Sequence, residues 1–485
     1  MLAQFTDIRR SLQALRANRQ GFVLPTAAVF FIVSLPIVGL VVDVGLDYMI
    51  QTKLQMAIDA AVLAGARSLS RGDDSPTQTT NAEAIANQYL TANFPSGYLG
   101  VTTPQVTNID VQQSADAVRT VTMTATATMP PMFMGWFGTG STKVGATAQA
   151  SRRDVNVMIV MDRSGSLANS GSCSYAKAGV SGFAQKFANG TDIVGLITFA
   201  SSSNLDFPPS AQFNSSTAGN NTIPYIANEI DCSGATSTAQ ALWQAYQALT
   251  TLSQTGALNV IVLFTDGDPT AVTTQMPRAA SSSCAAAVSG IITGVYTVGF
   301  NSAGVGTTTG GIFQSTNSGQ PMSSDSTLVS PTTNCNYATN WTTADKDIVG
   351  LSTTDVWGNN LTSGWQSVTT TTSGGKTYVK VGESSTYATN VTNASMNAAD
   401  DAANRILTGS SPGNGKSALS SVYIYTIGLG TSENLSNSTL LERIANQGGV
   451  RCSSCAQGEF YYAPGAADIS DAFAKVADQI LHLSK

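Results

Sequence analysis

Three short stretches hold most of the side chains in this sequence that could do chemistry together. Asp162-Arg163-Ser164-Gly165-Ser166 puts a carboxylate and two hydroxyls on five consecutive residues, Gly234-Ala235-Thr236 adds a third hydroxyl, and Thr265-Asp266-Gly267-Asp268 adds a second carboxylate. Oxygen donors of this kind suit a hard divalent cation, which takes roughly six oxygens and keeps some water among them. Asp162, Ser164, Ser166, Thr236 and Asp266 are therefore the candidate metal residues. Neutral hydroxyls beside only two carboxylates leave such an ion under-neutralised, and an open position invites an acidic group from a partner. Hydrolytic chemistry matches poorly. The single histidine, His482, lies far along the chain, no GxSxG elbow is present, and Ser164 has no base to activate it. Taken alone, Asp162 and Ser166 also read as caps of a helix start, a role these residue types commonly fill.

The elements that must position these residues are visible as apolar runs. VNVMIVMD at 155–162, DIVGLITFA at 192–200, NVIVLFTDG at 259–267 and VYIYTIGLG at 422–430 are continuous, as expected for parallel strands covered on both faces. Helix candidates lie between and after them at 173–188, 237–252, 396–408, 437–446 and 467–483. This alternation predicts an α/β fold with a doubly wound, mostly parallel, Rossmann-like sheet. Ligands bind such sheets outside the carboxyl ends of the strands, which is where the three stretches would meet. The interval 301–390, rich in Ser, Thr and Gly and carrying Trp341, Trp357 and Trp365, reads as an insertion between the third and fourth strands. Within it, KTYVKVG at 376–382 alternates as β-structure does.

Ahead of the α/β part, GFVLPTAAVFFIVSLPIVGLVV from Gly21 to Val42 is uncharged and long enough to cross a hydrocarbon core of about 30 Å. Arg9, Arg10, Arg16 and Arg19 precede it, and Asp43 and Asp47 follow. A basic leader at 1–20 should then stay in the cytoplasm, with everything beyond the span at 21–42 exported. No small-x-small site closes the run, so it reads as a retained anchor, and Pro25 and Pro36 are tolerable within a spanning helix. Apolar spacing at Leu46, Ile50, Leu54, Ala57, Ala61 and Ala64 carries the helix onward, giving a helical segment over 43–100. Alternation in VTMTATATM at 121–129 and KVGATAQAS at 143–151 marks a small β-rich connector over 101–152, which leaves 153–485 to the α/β domain.

Composition supports the same organisation. A chain of 485 residues exceeds one ordinary domain. Its charged share of 11% falls well below the roughly 25% of typical globular proteins and suits an exported chain. A net charge of −6, with no basic cluster after the apolar segment, excludes a nucleic-acid partner. Six cysteines in an exported chain imply disulfides, although sequence alone does not determine their pairing. Cys173 and Cys232 both fall near the candidate metal face and form one expected pair; Cys452 with Cys455 is the second, leaving Cys284 with Cys335 to tie the insertion to the core. One CxxC and one histidine are too few ligands for structural zinc.

DRSGS at 162–166, GATSTAQAL at 234–242 and TDGDP at 265–269 resemble the metal-ion-dependent adhesion site of von Willebrand factor A domains, and TIGLG at 426–430 looks like their penultimate strand. The resemblance covers about 153–300 and 396–485. It implies direct metal contacts from Ser164, Ser166 and Thr236, with Asp162 and Asp266 direct or through water. The ion it implies is Mg²⁺, with Ca²⁺ and Mn²⁺ as alternatives. Ala235 departs from the pattern, since the family more often has a second glycine there.

GLDYMIQTKLQMAIDAAVLAGA at 45–66, directly after the apolar run, is similar to the start of TadE/TadG-like proteins of the tight-adherence (Tad/Flp) pilus system. A TadG-like protein joins such an N-terminus, a β-rich connector and a von Willebrand factor A domain. The resemblance implies a non-enzymatic, single-pass protein of the bacterial inner membrane, held through residues 21–42, with its bulk periplasmic or extracellular. It implies a role in assembling or anchoring a Flp-type pilus, with a partner from the pilus or secretion machinery that offers an acidic side chain. Two alternatives stay open. One is a surface adhesin gripping host or matrix protein. The other is a pseudopilin-like subunit, for which Gly21-Phe22 would be the processing point, although Thr26 stands where an acidic residue is usual.

Overall fold

The computed structural model describes residues 20–72, 74–114, 117–138, 140–214, 219, 221–252, 254, 256–277, 291–300, 306–314, 348–382, 385–430 and 438–484. The chain divides into two compact units. Residues 1–68, 79–112 and 120–151 make the first, and residues 69–78, 113–119 and 152–485 the second.

The first unit is built on α1 (Gln20–Ser68), a single helix of 49 residues and hence about 70 Å long at 1.5 Å per residue. It is long and apolar enough to cross a membrane. Its side chains change surroundings along its length. Large apolar residues from Val23 to Val44 are exposed, whereas Ile50, Leu54, Ala57, Ile58, Ala61 and Val62 are buried at helical spacing. Helix α2 (Ser75–Asn93) approaches closely because Gly65 has no side chain. A Cβ there would meet Ala82 O at 3.1 Å, Ala86 at 3.3 Å and Val121 at 3.4 Å. Strands β1 (Gln105–Gln113), β2 (Val118–Met129) and β3 (Thr142–Arg153) pair in that order. In β2 every second residue is buried, Val121, Met123, Ala125 and Ala127 among them, so the Thr/Ala alternation becomes a sheet with one covered face.

The second unit centres on a six-stranded sheet of order β14-β13-β7-β4-β5-β6. Its strands are β4 (Val155–Asp162), β5 (Ile193–Phe199), β6 (Ser203–Ser210), β7 (Leu258–Thr265), β13 (Tyr423–Leu429) and β14 (Phe460–Ala463). All neighbours run parallel except the edge pair β5 and β6. One face packs on α6 (Thr238–Thr250), α7 (Ser385–Leu407) and α8 (Ser438–Ile444), through residues such as Leu242, Ile406 and Leu441. The other packs on α4 (Cys173–Ala184), α5 (Ile223–Glu229) and α9 (Ile469–Leu483), through Val180, Ile223 and Phe473. This is the predicted α/β architecture. Cys173 is bonded to Cys232 and Cys452 to Cys455, as expected, while Cys284 and Cys335 lie outside the described residues.

The interrupting region differs from its expected bounds. Departure from the parallel sheet begins at β8 (Ala271–Pro277), which pairs antiparallel with β9 (Ile291–Phe300); β10 (Gly306–Gln314) then extends this second sheet. A hairpin of β11 (Thr370–Ser373) and β12 (Lys376–Val379) follows, which realises the alternation in KTYVKVG. Helix α7 starts at Ser385, ahead of the expected 396. Its first turns are Ser/Thr/Asn-rich and poor in intrinsic helix propensity, so burial of Ala388, Val391 and Ala394 organises them instead. Strand β6, SNLDFPPS, carries two prolines that only an edge strand accommodates, and periodicity gave no hint of it.

Candidate metal centre

All eight residues of β4 are buried, and β5 and β7 flank it on either side. The chain can therefore turn towards solvent only beyond Asp162, itself fully buried. Four of the five candidate residues meet at this turn. Ser164 N donates to Asp162 Oδ1 at 2.7 Å, and the hydroxyls of Ser164 and Ser166 are 2.9 Å apart. Ser166 Oγ donates to Asp266 Oδ1 at 2.6 Å, which joins the end of β4 to the end of β7. Thr265 Oγ1 closes the ring by donating to Asp162 Oδ2 at 2.5 Å.

The fifth residue, Thr236, sits on a neighbouring loop tied to the same turn. Gly165 N donates to Gly234 O at 2.9 Å and Ser233 N to Arg163 O at 2.7 Å. The Cys173–Cys232 bond holds the approach to this loop. Gly234 has φ of +95°, and a Cβ there would meet Ser201 Oγ at 2.9 Å, so glycine is required on both counts. Thr236 is buried, but no hydrogen bond joins its hydroxyl to the other four residues. Its amide donates to Thr270 Oγ1 at 3.0 Å, and its carbonyl accepts from Thr270 N and Ala271 N. Ala235, the departure from the expected pattern, keeps its amide on Ser201 Oγ at 3.1 Å, leaving the loop tethered.

Helix capping does not account for these hydroxyls. Ser164 is the cap residue of the short helix α3 (Gly165–Asn169), yet its side chain makes no capping hydrogen bond. Electrostatically, burial pushes the Asp162 carboxyl up to about 7, and the nearby charge of Asp266 adds to the shift. Burial also raises Asp266. Neither carboxylate has a salt bridge among the described residues, and Arg163 directs Nε to Thr198 Oγ1 at 3.2 Å. Among those residues no three His, Cys, Asp or Glu side chains gather as a metal cluster. The donor set here is instead mixed: two carboxylates and two hydroxyls, which fits a hard oxygen-seeking cation better than a soft one.

Sequence reasoning missed three supporting residues. Thr265 lay inside a quoted motif without an assigned role, although a hydroxyl beside a strand-end carboxylate was a usable signal. Thr270 and Ser201, which hold the Thr236 loop, have no local signature because each acts about 34 residues away.

Residues 157–268 match the family model of the von Willebrand factor type A domain, and residues 21–68 that of Flp pilus-assembly TadE/G-like proteins. No curated protein matches the chain. Among solved structures, it is similar to the pilus adhesin SpaC of Lactobacillus rhamnosus GG at 13% identity and TM-score 0.36, over 79% of this chain and 35% of that one. The chain thus spans about a third of SpaC. It is also similar to the PilB minor pilin of Streptococcus sanguinis at 14% identity and TM-score 0.33, over 79% of each chain. A third is the vWF domain of the type V pili tip protein Mfa5 of Porphyromonas gingivalis, at 14% identity and TM-score 0.36, over 69% of this chain and 98% of that one. These likenesses are too distant to carry function. The two family matches fall on the two motif regions, a TadE/G-like N-terminal segment and a von Willebrand factor type A domain, the combination that the TadG-like resemblance predicts.

Proposed function

We propose that this chain is a membrane-anchored, extracytoplasmic protein that binds a divalent cation through Asp162, Ser164, Ser166, Thr236 and Asp266. Through that ion it grips an acidic side chain of a protein partner in the assembly or anchoring of a Flp-type pilus. The observation that carries the reading is the convergence of two carboxylates, buried Asp162 and half-buried Asp266, with the hydroxyls of Ser164 and Ser166, and with no salt bridge to either carboxylate among the described residues. A bound Mg²⁺, or Ca²⁺ or Mn²⁺ in its place, supplies the missing positive charge and a coordination position for a carboxylate from outside. Asp162 and Asp266 neutralise the ion, Ser164 and Ser166 orient towards it, and Thr270 holds the loop that carries Thr236.

The apolar half of α1 and the TadE/G-like match support anchoring in a bacterial inner membrane through residues 21–42. In this reading both carboxylates beside Ser164 are committed to the ion, and His482 lies on α9, so the site is one of recognition. Calorimetric titration of Mg²⁺, Mn²⁺ and Ca²⁺ into the detergent-solubilised full chain tests it, beside a Ser164→Ala/Asp266→Ala variant. Saturable binding to the parent that is lost in the folded variant supports the reading. Absence of binding to the parent reduces the site to a structural turn.

A further inference from the structure

Beside the apolar half of α1, the segment between β2 and β3 also exposes side chains in the first unit that have no account in water. Residues 130–138, PPMFMGWFG, contain no charge. Met132 is 60% exposed, Phe133 48%, Trp136 92% and Phe137 58%. Four large apolar side chains crowded at one loop tip are unusual for a surface bathed in water.

The loop is also seated at one particular height on α1. Asp43 accepts hydrogen bonds from three successive amides: Met132 N at 3.0 Å, Phe133 N at 3.2 Å and Met134 N at 2.8 Å. One turn earlier, Gly39 leaves room for Phe133, since a Cβ there would stand 2.8 Å from the Phe133 Cβ. Asp43 is the first charged residue after the uncharged run, so the loop is fastened where the apolar span ends. Trp136 lies three residues beyond Phe133, and a chain of that length reaches at most about 10 Å.

We propose that residues 132–137 form a second membrane contact: the loop inserts Met132, Phe133, Trp136 and Phe137 into the headgroup boundary of the leaflet from which α1 emerges. Tryptophan prefers that boundary because its ring is apolar and its N–H still finds a polar partner there. The inserted loop and the helix then touch the same bilayer at two points, tied by Asp43. This inference rests on reading residues 21–42 as a membrane span.

Full-length protein reconstituted in phosphatidylcholine/phosphatidylglycerol vesicles with brominated acyl chains tests it. The difference between the parent and Trp136→Phe isolates the emission of Trp136 from the other four tryptophans. A Phe31→Trp reporter in the Trp136→Phe background reads the span itself. Trp136 emission is expected to be blue-shifted and to lose about half its intensity to shallow bromines, with the Phe31→Trp reporter quenched more by deep ones. Trp136 unquenched by brominated lipid but quenched by aqueous acrylamide, with the Phe31→Trp reporter still quenched by lipid, overturns the inference and leaves the span standing. Trp136 shielded from both quenchers, in proportion to protein density in the vesicle, also overturns it, because a second copy then covers the loop. Neither probe quenched by lipid removes the span and the inference together.

Discussion

The two ends of β4 each hold buried acidic groups and are electrostatically opposite. Ahead of its first residue, Arg152 and Asp154 meet Arg119 and Asp192. Arg152 Nη2 lies 2.6 Å from Asp192 Oδ2, and Arg119 Nε lies 3.1 Å from Asp154 Oδ1. Asp192 also accepts from Val155 N at 3.0 Å and Ala188 N at 2.7 Å, and Gln78 links Arg119 to Asn189 O. Two cations face two anions, so the charges at this end balance within the protein. At the other end Asp162 and Asp266 face hydroxyls and each other. The contrast teaches that burial of acidic groups is not what marks a site; the missing counter-charge is. One end of the strand holds its charges in balance, and the other brings two carboxylates together with no salt bridge to either among the described residues.

Removing an anion should therefore have opposite signs at the two ends. Asp192→Ala strands Arg152 in the interior and is expected to cost about 3–5 kcal/mol, read from the urea midpoint of the full chain in detergent. Asp162→Asn relieves repulsion at the far end. After the lost acceptor is allowed for, it is expected to stabilise the metal-free protein by on the order of 1–2 kcal/mol while abolishing Mg²⁺ binding. If both variants destabilise alike, the two ends are not different in kind.

Acidity sharpens the same comparison. The Asp162 carboxyl titrates near 7 when folded against 3.8 for its ordinary value, so the folded protein holds that proton more tightly than the unfolded chain does. The penalty of the charged form is fully present above about 7 and fades as pH falls towards 4. Thermal melts in EDTA should thus rise between pH 8 and pH 5.5, and excess Mg²⁺ should flatten the rise, because the cation requires the ionised form. Asp355, pushed up to about 6 by burial, acts in the same direction without a link to metal, and its share should persist in Asp162→Asn. The smallest effect is expected of Thr270→Val, which removes the acceptor for Thr236 N. It should cost about 1 kcal/mol and weaken Mg²⁺ binding several-fold, both measurable by parallel melts and calorimetry.

The strand-end oxygens were legible because continuous apolar runs announce buried parallel strands, and such strands deliver their last residues to one edge. The balanced end was not legible. Arg119 occupies an inward position of an alternating strand, where a charged residue reads as an exception. Asp154 and Asp192 each precede an apolar run as ordinary punctuation, and Gln78 reaches Asn189 across 111 residues. The short β14 and the proline-bearing β6 were missed for a related reason, since their pairing comes from neighbours already in the sheet and not from their own periodicity. The membrane-level loop gave a composition signal, an uncharged aromatic run, but nothing in the chain before Asp43 pointed to where that run would be fastened.

The unbroken course of α1 ties two motions of the first unit into one. A helix advances 1.5 Å and turns about 100° with each residue, so height and heading are coupled as in a screw thread. Asp43, gripping the β2–β3 loop, sets the phase of that thread. An alanine inserted between Val44 and Ile50 would swing the buried stripe of α1 away from the loop that Asp43 holds, while a seven-residue insertion would nearly restore the heading and raise the stripe by about 10 Å. Length in this stretch is thus tolerated in whole turns only.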